Sequence, residues 1–165
     1  MQPQPGWKIL DVKPGPAVDY VGNCKDLSQF SSNSVDEIYA SHVLEHLSHQ
    51  GELQSVLTQM HRILVPGGIT RISVPDFELL CRMFISPGLN MEQRYYLMQV
   101  VFGGQIDAYD YHKIGLSFEF LSHFLTTAGF INTQRVEEFG IFNDCSAIRV
   151  GGRLISLNVV TKKNP

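Results

Sequence analysis

Two short stretches hold most of the side chains able to do chemistry. In the first, VDEIYASHVLEHL (Val35 to Leu47), Ser41 and His42 end an apolar, β-favouring run, and Glu45 and His46 follow one helical turn later. Two imidazoles and a carboxylate on one turn, joined by His112 from elsewhere, are donors of the kinds a divalent metal takes. The plainer reading is that Glu45 and His46 cap and pack the first turn of a helix, and no metal is assigned to them. The second stretch, GGQIDAYDYHKIG (Gly103 to Gly115), is rich in glycine, tyrosine and aspartate and has no hydrophobic period, as in an active-site loop or lid. His112 within it is the candidate general base, because a neutral imidazole can take a proton near pH 7. Tyr109, Asp110 and Tyr111 beside it can bind a sugar or another hydroxylated substrate. The competing reading makes His112 a loop histidine bonded to backbone. His49, His61 and His123 fall on helix exteriors and receive no role.

These groups need elements to hold them. The run from Val35 to about Ala40 reads as a buried strand whose polar end opens on the crevice beyond a parallel sheet. The pattern recurs at Ile69 to Val74, followed by Pro75-Asp76. Between the two, Leu53, Val56, Leu57, Met60, Ile63 and Leu64 repeat at the helical period, and Pro66-Gly67-Gly68 stops the helix. Asp76 is the N-cap expected for a helix burying Phe77, Leu80, Cys81 and Phe84. Asn90, with Gln93 three residues on, starts another that runs to about Phe102. The aromatic and methionine content of that helix suits core or a subunit interface, as in a homodimer. Ser117 caps a helix burying Phe118, Leu121, Leu125 and Ala128, ended by Gly129. Trp7 to Val12 and Val18 to Val21 are short strands, and Asp26 to Ser34 is a loop anchored by Leu27 and Phe30. Ile131 to Phe139 and Leu154 to Val160 are strands close enough to pair antiparallel, joined through a hairpin-type connection with Gly151-Gly152 at its turn.

Composition narrows the classes. A chain of 165 residues, 44% hydrophobic and 18% charged, suits a single domain over residues 1–165 with an ordinary core. Its net charge of −3 and scattered Lys and Arg exclude the clustered basic face that nucleic acid needs. No apolar run reaches the ~18 residues of a membrane span. The opening MQPQPGW lacks the regions of a secretory signal. Cys24, Cys81 and Cys145 have neither metal nor redox spacing, which points to a reducing, cytoplasmic setting.

Taken together, VDEIYASHVLEHL, RILVPGG, ITRISVPD and HKIGLSFEFLSHFLTTAGF resemble the class I S-adenosylmethionine-dependent methyltransferases, specifically small type 11-like members. The resemblance runs from Trp7 to Lys163. It implies a Rossmann-like, doubly wound α/β fold with a mostly parallel sheet and an antiparallel C-terminal strand pair. It also implies S-adenosylmethionine as cofactor and methyl transfer to an oxygen or nitrogen of a small molecule or glycan. Asp11 then stands where the family's acidic residue takes the ribose hydroxyls, and Asn23 where an Asp faces the adenine amino group. Cys24 offers its backbone N–H to the ring, although its thiol suits a small buried hydrophobe. Ser41 and His42 line the methionine and methyl end, His42 doubling with His112 as a catalytic candidate. In some relatives, ubiquinone-pathway and small-RNA methyltransferases among them, a Glu-x-x-Glu-His stretch at this place binds a divalent metal; here His42 replaces the first Glu.

One departure stands out. The family's first strand and its glycine-rich turn, where only a bare backbone lets the cofactor approach, have no counterpart before Trp7. Either that strand lies upstream, or it is lost, or ILDV with Lys13-Pro14-Gly15-Pro16 is its degenerate form. If it is missing, its neighbours flank a gap of roughly 10 Å. The alternative to an enzyme is therefore a degenerate methyltransferase-fold module acting as a binding or regulatory partner. A nucleotide-dependent oxidoreductase is disfavoured because no G-x-G-x-x-G follows a strand.

Overall fold

The computed structural model describes residues 4–165, so Met1 to Pro3 of the opening stretch lie outside it. Its centre is a four-stranded sheet. Strand β3 (Val35–Ser41) runs parallel to β4 (Leu64–Pro75), which pairs antiparallel with β8 (Ser156–Lys163), which pairs antiparallel with β5 (Phe130–Val136). Three of the four strands therefore point the same way and β8 alone is reversed. The expected C-terminal antiparallel pair is β5 with β8. Two further strands, β1 (Leu10–Asp11) and β2 (Tyr20–Val21), are shorter than their apolar runs suggest and pair parallel in a small sheet of their own. No ladder joins β1 to β3. The edge of β3 away from β4 is therefore unpaired among the described residues.

Helix α1 (Glu52–Ile63) buries Leu53, Val56, Leu57, Met60 and Ile63, the stripe its spacing predicts. Burying each is worth roughly 1.5–3 kcal/mol, so packing rather than propensity holds the helix. The expected end of this helix needs correction. Leu64 already belongs to β4, and Val35 pairs with Leu64 while Glu37 pairs with Ile69. Pro66-Gly67-Gly68 therefore forms a bulge inside the strand rather than a loop before it, with Gly67 at φ 75°. Helix α4 (Phe118–Thr127), capped by Ser117, lies beside α1. Together they cover the face of the sheet that carries Ile38, Ala40, Ile72, Val74, Leu157 and Val159.

The other face is covered differently. Strand alternation turns Glu37, Tyr39 and Ser41, then Arg71 and Ser73, then Asn158 toward it. What lies against it is the irregular segment 137–147, which ends in a 3-10 turn, Cys145–Ala147. Tyr39 sits among Trp7, Phe139 and Phe142, edge to face. Its hydroxyl donates to Asp144 at 2.9 Å, and burial, ahead of these contacts, pushes its pKa up to about 12. Asn158 donates to the carbonyls of Glu137 and Ser146.

A second, smaller core forms beyond the sheet. Helix α2 (Phe77–Phe84) begins at Asp76, whose side chain accepts from the Leu79 N–H, and α3 (Met91–Phe102) begins with the expected Asn90–Gln93 capping box. The buried residues of α2 are Leu80 and Met83, whereas Cys81 and Phe84, expected inside, are exposed. Leu80 and Met83 pack on Leu97 of α3 and on Ile155. Strands β6 (Arg149–Val150) and β7 (Arg153–Leu154) form the hairpin foreseen at Gly151-Gly152, both of which have positive φ. No helix among the described residues is long and apolar enough to cross a membrane.

Candidate functional site

The chemistry-bearing residues gather where β3 ends. His42, the first residue past the strand, has φ 54°, the left-handed conformation. That geometry is costly for a non-glycine residue and concentrates at functional sites. Its backbone N–H donates to the Ser73 carbonyl at 2.8 Å, which pins the turn to β4. Its Nε2 lies 3.1 Å from Ser156 Oγ, and that hydroxyl gives its proton to the Cys145 carbonyl at 2.8 Å. Because the serine proton is spent, Ser156 must accept from His42 Nε2–H. Its Nδ1 faces Glu45 Oε1 at 3.2 Å, without the alignment of a hydrogen bond.

Glu45 lies in a 3-10 turn, Leu44–His46, between the fully buried Leu44 and Leu47. It is only 1% exposed, yet neither carboxylate oxygen has a hydrogen-bond partner. The 103–115 loop packs against this turn. The Lys113 N–H donates to the Glu45 carbonyl at 2.7 Å, and His46 Nδ1 is 3.1 Å from the Tyr111 carbonyl. His112 comes in edge-on to His46, with ring centroids 4.8 Å apart, and its Nε2 is 4.0 Å from Glu45 Oε1. Burial holds the His112 imidazole below the usual histidine range, against the opposing pull of Glu45. Its Nδ1 has no partner. The sequence placed His42, Glu45, His46 and His112 in one neighbourhood, and the structure brings them together.

Two glycines let the loop close. Gly103 has φ 83°, and a Cβ there would lie 2.1 Å from the Asp110 carbonyl oxygen. A Cβ on Gly104 would meet Asp110 Oδ2 at 2.6 Å. The loop is clasped at its far side by Lys13 to Asp107 (2.5 Å) and by Lys113 to Glu52 (3.6 Å).

The expected cofactor residues are spread along the neighbouring tips. Asp11 ends β1, exposed, with one oxygen taking the Lys13 N–H at 2.8 Å and the other unengaged. Asn23 turns its amide oxygen onto the Lys25 N–H at 3.0 Å, closing its own turn. Cys24 packs on the main core, as a small hydrophobe does, and burial raises its thiol pKa. Ser41 Oγ is buried without a partner. Asp11 thus keeps an acceptor oxygen free and Ser41 a hydroxyl without a partner, while the Asn23 amide oxygen already takes a local bond.

One cavity adjoins the sheet and another lies beyond it. One of about 650 Å³ opens at the carboxyl end of β4, lined by Asp76, Arg82, Arg135, Glu137 and Ser156, and so touches the serine that anchors His42. Asp76, 4% exposed, pairs there with Arg135 while capping α2. The other, about 510 Å³, lies between α2, α3 and the β6–β7 hairpin. Neither is lined by Asp11, Asn23, Cys24, Ser41 or His42. Ser156, Ser73 and Asn158 went unnoticed in the sequence, although polar residues inside the apolar strands ITRISVP and LISLNVV were a signal. The pairing of Arg135 with Asp76 had none.

The profile of a methyltransferase domain matches residues 8–72, which take in β1 through most of β4 and the His42–His46 cluster. No curated protein sequence matches the chain. Among solved structures, the chain resembles 1,6-didemethyltoxoflavin-N1-methyltransferase from Burkholderia thailandensis, solved with 1,6-didemethyltoxoflavin and S-adenosylhomocysteine. The identity is 17% and the TM-score 0.57, over 94% of this chain and 60% of that one. A SAM-dependent methyltransferase from Archaeoglobus fulgidus aligns at 17% identity and TM-score 0.54, over 88% and 67%. The CurJ carbon methyltransferase aligns at 18% and 0.53, over 91% and 36%. The chain thus spans 60% and 36% of the length of the first and last of these, less than two thirds. With the helix-backed sheet, these likenesses show that the chain has the fold of these methyltransferases, and the methyltransferase-domain profile matches its first part, residues 8–72.

Proposed function

We propose that the chain binds S-adenosylmethionine across the tips of β1 and β3 and transfers its methyl group to an oxygen or nitrogen of a small molecule or glycan. The observation that carries this reading is the cluster at the end of β3: a strained His42, an unpartnered Ser41 hydroxyl and a buried His112 converging under the 103–115 loop. S-adenosylmethionine, when bound, supplies the activated methyl group. The chain's own part is to hold the reactants in line and remove the acceptor's proton. The free oxygen of Asp11 accepts from ribose hydroxyls. His42 and His112, the two imidazoles facing Glu45, are the groups that take the proton. The 650 Å³ cavity behind Ser156, with Arg82 and Arg135 on its wall, is the acceptor's berth. Isothermal titration with S-adenosylmethionine and S-adenosylhomocysteine tests the reading. Binding of either, weakened about 10–100-fold by Asp11→Asn as a charge-assisted bond is lost, supports it. No heat at millimolar cofactor overturns it.

A second reading, a non-catalytic binding or regulatory module, is favoured by one feature: neither cavity reaches the expected cofactor residues. The same titration separates the two.

A further inference from the structure

The cavity of about 510 Å³ between α2, α3 and the β6–β7 hairpin takes no part in the methyl-transfer reading. Its apolar lining continues the second core: Met83 and Leu97 are buried, and Leu89 and Val150 pack around them. Tyr96, on the turn of α3 that carries Leu97, adds a ring that is 43% exposed. At the edge stand two opposite charges, Glu92 in the first turn of α3 and Arg153 in β7, both exposed. The arginines nearby are engaged. Arg94 donates to the Phe84 and Ser86 carbonyls, and Arg149 pairs with Glu137 and Glu138. Glu92 and Arg153, by contrast, form no ion pair and no side-chain hydrogen bond with any described residue. An apolar hollow of roughly 300–1,000 Å³ with a few polar groups on its wall is the form that small-molecule sites take.

The two charges define what would fill it. A purely anionic ligand gains from Arg153 and is repelled by Glu92, and a cationic one meets the reverse. A molecule carrying both signs satisfies both. From this we infer that the cavity binds a small zwitterion with an apolar body, of the class of the large apolar amino acids. Its carboxylate meets Arg153, whose planar fork can take both oxygens, and its ammonium meets Glu92. Its side chain lies on Met83, Leu89 and Leu97 beside the Tyr96 ring. Covering a side chain of that size is worth roughly 10–150-fold in affinity. The exposed charge pairs are screened by water and contribute less, about three- to fivefold each. The apolar body therefore sets the strength of binding and the charges set its selectivity. This inference does not rest on methyl transfer, and its test reads binding alone.

The test is isothermal titration of the full chain with L-phenylalanine, with the rise of Tm on adding it as a second readout. The expected result is one equivalent bound with Kd on the order of 1 mM or below. Glycine, which lacks the apolar body, should bind at least tenfold more weakly. 3-Phenylpropionate and phenethylamine, each lacking one charge, should bind about threefold more weakly or worse. Arg153→Gln and Glu92→Gln should each weaken phenylalanine about threefold or more, and His123→Asn, on the exterior of α4, should leave it unchanged. Both charged residues are exposed, so their variants fold. No binding at ~10 mM phenylalanine overturns the inference. Binding that 3-phenylpropionate or phenethylamine matches overturns the zwitterion. Binding that both charge variants leave intact belongs elsewhere on the chain, the cofactor cleft included, and overturns the site.

Discussion

The closure of the 103–115 loop over Glu45 rests on Gly103, and replacing it by alanine puts a magnitude on that dependence. Gly103 has φ 83° and ψ 164°, a region that only glycine enters without a penalty of about 1–3 kcal/mol. The new methyl would sit 2.1 Å from the Asp110 carbonyl oxygen, which is backbone and has to move as a unit. Forced overpacking of this kind costs roughly 1–3 kcal/mol, so the two together come to about 2–6 kcal/mol. Gly104→Ala is the internal control. Its methyl would meet the end of the Asp110 side chain, which can swing away at the cost of a 3.3 Å bond to the Ile106 N–H, worth about 1 kcal/mol. Both changes restrict the unfolded chain equally, so that effect cancels between them. Gly103→Ala should therefore lie about 1–5 kcal/mol below Gly104→Ala in urea unfolding, or some 2–4 °C in Tm for each kcal/mol. Where the loop peels off before the domain unfolds, the loss appears instead as faster tryptic cleavage at Lys113, whose N–H the Glu45 carbonyl holds at 2.7 Å. Two variants equal in stability to within about 0.5 kcal/mol, and equally resistant at Lys113, would refute the hinge.

Two further outcomes follow from side-chain geometry. Asp76→Ala removes both the α2 cap and the carboxylate that pairs with Arg135, and should cost about 2 kcal/mol in denaturant unfolding; Asp76→Ser restores a capping oxygen and should recover about 1 kcal/mol. Equal losses would mean the cap contributes nothing. Glu52 accepts from Lys25 at 2.5 Å and from the Ser48 N–H at 2.8 Å, and these bonds, Lys25 first, hold its pKa at about 2, below its ordinary 4.5. A depressed folded pKa adds stability that is complete above the unfolded value and disappears as pH falls through the folded one. Wild type should therefore lose stability between pH 4.5 and 2 faster than Glu52→Gln in acid unfolding curves, and parallel curves would sink the assignment.

The sequence disclosed elements whose information is local. The α1 stripe, the Asn90–Gln93 box and the Ser117 cap were legible because period and cap chemistry are written within a few residues. So was the cluster of His42, Glu45 and His46, adjacent in the chain, although His112 joins them only because the loop folds back. What stayed hidden depends on partners far away. Whether Leu64 continues a helix or opens a strand is decided by its pairing with Val35, which no local rule contains. Cys81 and Phe84 are exposed because α2 turns Leu80 and Met83, with Leu79 beside them, into the core shared with α3. Asn23 fitted an adenine contact by type, but its amide closes a local turn, as asparagine side chains commonly do.

The sheet's unequal faces have a consequence for how the molecule breathes. One side is sealed by aliphatic side chains against α1 and α4, and parting it would wet a large dry area. The other is a seam of hydroxyls, an amide and aromatic edges beneath 137–147, and water can substitute for much of what holds it shut. Transient opening should start there, like a book parting at its weaker binding. Because the chain of bonds from His42 through Ser156 ends on the Cys145 carbonyl within that seam, each opening would also release the imidazole from its fixed tautomer.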